Sequence, residues 1–216
     1  MSNLNLILAI DSKGNEITVA KVNEWLASKS RKELADFIYH RLHGRYLKPF
    51  EYEGADFKKN FKNGFSIMAN CCLLIETYVS FIRTEFRSTY RKSEKAFGYF
   101  FTTNPGFALF SQGGQSAAHY LSNTNLIKTG IPADFYAHVR CGILHSGETK
   151  NGWKINRSST KAIMDPGTKD INAIEFAKAL KKVIMTYQKA LINANYDTDD
   201  LWTCFKARLS DVISKA

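Results

Sequence analysis

The pattern of apolar and polar positions opens with a short extended segment before helical spacing takes over. Residues 4–19 turn at Asp11-Ser12-Lys13-Gly14-Asn15, which predicts a short β hairpin or extended arm. After Ile17 the apolar positions Val19, Val22 and Leu26 take helical spacing. Ser30 followed by Glu33 predicts a capping box, opening a helix with Leu34, Phe37 and Ile38 on one side and an end before Pro49. The stretch 48–64 is polar and basic, with scattered Tyr52, Phe57 and Phe61, and reads as a loop.

The longest predicted helix covers about 65–89, because Ile67, Cys71, Leu74, Tyr78 and Ile82 form one apolar stripe. Arg83, Arg87 and Arg91 would make a basic ridge on it if it persists that far. A helix from Glu94 should end near Asn104-Pro105, and a short one should cover Ala117 to Leu121. Pro132 suits the first position of the next helix, which Gly147 and Lys150-Asn151-Gly152 end. A small hairpin through Trp153 and Ile155 should follow. Two helices close the chain, about 171–194 behind Asp170 and 199–214 behind Asp197 or Thr198. The pattern predicts an all-α (mainly) bundle with short β-hairpin decorations, one domain over 1–216 with 1–60 as an N-terminal extension.

Composition narrows the function. With 44% hydrophobic residues the chain can bury a core without disulfide or metal staples. Cys71, Cys72, Cys141 and Cys204 form no Cys-x-x-Cys pair, and they read as reduced thiols of a cytoplasmic protein. Leu4 to Ile10 is apolar but lacks preceding basic residues, a poor leader. No unbroken apolar run has the roughly 18 residues that span a bilayer, so no membrane role is expected. The net charge of +10 favours a polyanionic partner, since each neutralised phosphate releases counterions.

The candidate chemistry lies in Asp134-Phe-Tyr-Ala-His-Val-Arg-Cys-Gly-Ile-Leu-His-Ser-Gly147. Arg140 and His145 stand five positions apart, with Cys141, Gly142, Ile143 and Leu144 between them. A strong cation and a titratable imidazole on an otherwise apolar helix need a reason. Either can be structural: an ion pair of Arg140 with Glu76, a helix-end role for His145. His40-Arg41-Leu42-His43-Gly44-Arg45-Tyr46 mixes basic and aromatic residues and reads first as a solvated helix end. His40 and His43 lack nearby metal-ligand partners, so no metal is expected. Trp153 either packs under its hairpin or stacks a base. Arg83, Arg87 and Lys154 are the candidate RNA contacts.

Val139-Arg-Cys-Gly-Ile-Leu-His-Ser-Gly147 resembles the Arg-x(4–6)-His motif of HEPN ribonucleases (higher eukaryotes and prokaryotes nucleotide-binding domains). The likeness covers about 131–153 and, more loosely, the preceding helix with Leu74-Ile-Glu-Thr-Tyr78. It departs after the arginine, where many members have Asn or Asp and this chain has Cys141. The resemblance implies a HEPN-type helical bundle and a metal-independent endoribonuclease, a toxin or anti-phage effector, with Arg140 and His145 catalytic and Cys141 and Glu76 auxiliary. It implies RNA as substrate, a 2′,3′-cyclic phosphate product, no cofactor, and an antitoxin or other regulatory protein as partner. A non-catalytic module binding RNA, a nucleotide or a partner is the alternative. Positions five apart lie about 140° apart around an ideal helix, and the resemblance implies a homodimer in which both copies line one cleft.

Overall fold

The computed structural model describes residues 3–51, 63–87, 92–122, 128–158 and 162–215, and it is mainly α-helical. β1 (Ile7–Ile10) and β2 (Glu16–Thr18) pair antiparallel. The Asp11 carboxylate fixes their turn by accepting the Lys13 and Asn15 amides, each at 2.8 Å. Helix α1 (Val19–Ala27) follows, then α2 (Arg31–Tyr46) and α3 (Gly64–Ile82). The capping box at Ser30 does not form: its hydroxyl meets Ser28 Oγ at 2.8 Å instead of capping α2. Most of the 48–64 loop lies outside the described residues.

The expected extension of α3 to residue 89 is also corrected. The helix stops at Ile82, Arg83 is extended, and Thr84–Phe86 form a 3-10 turn that buries Phe86. Arg87 then seats both sides of its fork on Asp211, at 2.6 and 2.5 Å. Arg83 and Arg87 therefore form no helical ridge, because burying Phe86 and pairing Arg87 take the chain off the helix axis, and Arg91 lies outside the described residues.

Further elements are α4 (Ser93–Thr103), a 3-10 stretch Pro105–Ser111, and α5 (Ala117–Leu121). Helix α6 (Gly130–Phe135) runs into a π turn, Tyr136–Arg140, and on into α7 (Cys141–Ser146). Pro132 lies in the first turn of α6 rather than at its first position. β3 (Lys154–Asn156), β4 (Met164–Asp165) and β5 (Asp170–Asn172) make one sheet in the order β3-β5-β4. The hairpin expected through Trp153 and Ile155 is thus corrected: β3 pairs parallel to β5, and the antiparallel partner of β5 is β4. Asp165 folds that tight turn by accepting the Gly167 and Thr168 amides. Helices α8 (Ala173–Asn193) and α9 (Asp200–Ser214) close the chain. Asn172 caps α8, and Asp199 caps α9 by accepting the Leu201 amide at 2.8 Å, in place of the caps expected from the sequence.

Two compact units divide these elements. The first comprises 1–49, 78–87 and 181–216, with a core of Leu34, Phe37 and Ile38 of α2, Phe81, Trp202 and Phe205. The buried Trp202 Nε1 donates to the Leu191 carbonyl at 3.0 Å, so its one polar atom is satisfied. The second, 50–77 with 88–180, is packed by Phe97, Phe100, Phe101, Phe107, Phe110, Phe135 and Phe176. Most of their rings meet edge-on or tilted, as between Phe107 and Phe176 at 4.9 Å, while Phe135 stacks on Phe176. Each such burial contributes about 1.5–3 kcal/mol, enough to hold the α6–α7 segment in place through Phe135 and Val139. By length and composition α3 could cross a membrane, but Met68, Cys71, Cys72, Leu74, Ile75 and Val79 are fully buried, as in a core helix.

Candidate active site

The π turn decides what the motif helix presents. The Cys141 amide donates to the Tyr136 carbonyl, a five-residue step that widens the helix by one residue. His138 Nδ1 approaches the Asp134 carbonyl at 3.1 Å, so a side chain supplies a donor to the backbone there. The widened turn is anchored through the Asp134 side chain. Its carboxylate meets His138 Nδ1 at 2.8 Å, Asn151 Nδ2 at 2.8 Å, Trp153 Nε1 at 3.0 Å and Lys169 Nζ at 2.8 Å. Burial alone would push Asp134 up, but the hydrogen bonds from Lys169, Asn151 and Trp153 outweigh it and hold the carboxyl below its ordinary value. Trp153 is buried against Phe135 and serves packing.

At the end of the π turn Arg140 lies half-buried against α3. Its Nε and Nη2 both donate to Glu76 Oε1 at 2.8 Å. The guanidinium carbon lies 5.5 Å from the centre of the Tyr136 ring. Burial works against the charge, yet Glu76 and Tyr136 raise Arg140 above its ordinary value, so it stays a cation. Nη1 remains: it lies 3.4 Å from His145 Nε2 and 4.0 Å from Cys141 Sγ. The pair that an ideal helix would set apart meets within one chain, because the long arginine bends back over Cys141.

His145 is exposed in the last turn of α7. Gly147 ends that helix in the left-handed region at φ 70°, and its amide returns to the Ile143 carbonyl at 3.2 Å. The Glu148 amide reaches Gly142 O at 3.3 Å, and a Cβ at Gly142 would stand 2.4 Å from the Glu148 carbonyl oxygen. Only glycine lets the closing turn fold back this tightly beneath His145.

No protein-family model, curated protein or solved structure matches this chain. Arg140 meets Glu76, His145 and Cys141 within one chain, although ideal helix geometry set Arg140 and His145 apart. Arg83 and Arg87 belong to the first unit, where Arg87 is engaged by Asp211, and Lys154 stands exposed on β3. Sequence reasoning passed over Tyr136, Asp134 and His138. With Cys141 they line an open groove of about 500 Å³, which Glu94 and Lys128 also border. The spacing Asp134–His138, one helical turn, was the available signal. His138 Nε2 has no protein partner among the described residues. Among those residues no three metal-ligating side chains converge.

Proposed function

We propose that this chain is a metal-independent endoribonuclease of the HEPN type, cleaving RNA by attack of a ribose 2′-hydroxyl. The observation that supports it is the meeting of an exposed imidazole, His145, with an arginine whose far edge a carboxylate pins. His145 Nε2, which the Arg140 donor selects as the basic nitrogen, takes the 2′-hydroxyl proton. The 2′ oxygen bonds to phosphorus while Arg140 Nη1 turns from His145 to a phosphate oxygen, where it meets the charge that develops. The P–O5′ bond breaks, the 5′ oxygen takes up a proton, and a 2′,3′-cyclic phosphate remains. His138, oriented by Asp134 on the groove beside Cys141, is the candidate donor of that proton. A cytoplasmic toxin or anti-phage role, an antitoxin-like regulator and a homodimer belong to the same proposal and rest on the resemblance.

The test is cleavage of single-stranded RNA in excess EDTA, with end-group analysis. His145→Ala should lose about 10²–10⁴-fold of the rate, and Arg140→Ala about 10²–10³-fold, both remaining folded. Arg140→Lys should recover little, because an ammonium cannot span Glu76 and a phosphate at once. Cutting that needs a metal and survives in His145→Ala defeats the mechanism. The burial of Arg140 and Glu76, whose side chains are 14% and 13% exposed, favours a second reading, a binding module in which they form a structural ion pair. That reading is upheld by a wild-type protein that binds RNA without cutting it.

A further inference from the structure

The basic stretch of α2 faces a cavity of about 310 Å³ in the first unit, lined by His40, Arg41, Gly44, Arg45 and Lys48, with Ile7–Ile10 of β1 as the other wall. No acidic side chain lines it. Arg41 is half-buried, and its Nη1 donates to the Leu8 carbonyl at 2.6 Å, an oxygen that Arg45 Nη2 also reaches at 3.4 Å. Neither arginine has a carboxylate partner among the described residues. Asp36 and Asp11 act on His40 and are themselves occupied by Lys32 and Asn15. Burial first, then Arg45 and Arg208, push the Arg41 guanidinium down to about 10, with only Tyr46 opposing them. A part-buried guanidinium ordinarily has a carboxylate beside it. Here two planar forks share one carbonyl, and their remaining N–H groups match the oxygens of a tetrahedral anion. The β1 wall is apolar, with Ile7 and Ile10 41% and 54% exposed.

We propose that this cavity binds a phosphate monoester, its oxygens on Arg41 and Arg45 and an apolar body against Ile7 and Ile10. The monoester is either a soluble molecule or the headgroup of a lipid, and the site is independent of the Arg140–His145 chemistry. Gly44 provides a clean lever, because no atom lies within 4 Å of the place a Cβ would occupy. Gly44→Glu sets a carboxylate at the cavity wall, and Gly44→Gln is its uncharged equal in size.

The full chain is melted at constant ionic strength in chloride, inorganic phosphate or phenyl phosphate. It is also floated with phosphatidylcholine vesicles with and without phosphatidic acid. Phosphate should raise Tm through linkage, and phenyl phosphate should do so at roughly tenfold lower concentration because its ring removes apolar surface from water. Gly44→Gln should keep the response. Gly44→Glu should lose it and melt higher than Gly44→Gln in chloride, the carboxylate standing in for the ligand. Flotation specific to phosphatidic acid and lost in Gly44→Glu assigns the lipid source, and a response to the soluble esters alone assigns the free one. The proposal falls if neither phosphate shifts Tm and no vesicle is bound, or if the responses survive Gly44→Glu undiminished.

Discussion

Glu76 holds Arg140 by one edge of its guanidinium, and the other edge turns Nη1 toward His145. The same division applies to His138, whose Nδ1 is committed to Asp134 while Nε2 stands open to the groove. If His138 protonates the leaving 5′ oxygen, His138→Ala should slow cleavage of ordinary RNA by about 10²-fold or more. It should leave almost unchanged the cleavage of a substrate whose 5′-bridging oxygen is sulfur, since a thiolate departs without a proton. An equal loss on both substrates, measured by single-turnover kinetics, would make the residue structural. Asp134 carries an acid-stability consequence. Its folded carboxyl lies below its ordinary value, so its contribution is present above the unfolded value near 3.8 and is lost as pH falls through the lower folded one. Asp134→Asn should therefore flatten the fall in urea stability between about pH 5 and 2; an unchanged slope would refute the assignment.

At the scale of elements, the apolar stripes fixed where most helices lie, since Leu34, Phe37, Ile38, Ile67, Cys71 and Leu74 are all buried as their spacing required. What spacing could not give was how each helix ends. Phe86 leaves the α3 axis because the core takes its ring, and nothing in the Arg83-Arg87-Arg91 pattern reports that. β4 and β5 were missed although Asp165-Pro166-Gly167-Thr168 is turn chemistry, because the paired strands are only two and three residues long. The π turn was illegible for a different reason: it depends on Asp134 gathering donors from Asn151, Trp153 and Lys169, all distant in sequence. Arg140 and His145 were thus identifiable from the motif, but their meeting was not. The tight return over Gly142 gives a test at this scale. Gly142→Ala must displace the Glu148 carbonyl, which should cost about 1–3 kcal/mol in denaturant melts and lower cleavage by shifting His145. A variant as stable and active as wild type would show that the closing turn has slack.

For the whole molecule, the geometry changes what a dimer is needed for. Around an ideal helix the two residues would have required a second copy to complete each other, but one chain already sets them 3.4 Å apart. In the proposed homodimer each chain would then bring its own complete pair to the cleft. Mixing Arg140→Ala with His145→Ala protein, after unfolding and joint refolding, should restore no cleavage. Recovery of a substantial share of wild-type rate would mean that working sites are assembled from residues of different chains. The charge of +10 is consistent with either arrangement, as it acts on the approach of a polyanion and not on its cutting.

Of the four thiols, Cys71, Cys72 and Cys204 are buried, and burial pushes each of them up. Cys141 is the exception in position, half-buried on the groove wall with its sulfur 4.0 Å from Arg140. A residue that looks like a flaw in the motif thereby gives the native protein a chemical handle. One equivalent of an alkylating reagent, added before unfolding opens the other thiols, would deposit its adduct beside the guanidinium and so count the sites by their silencing.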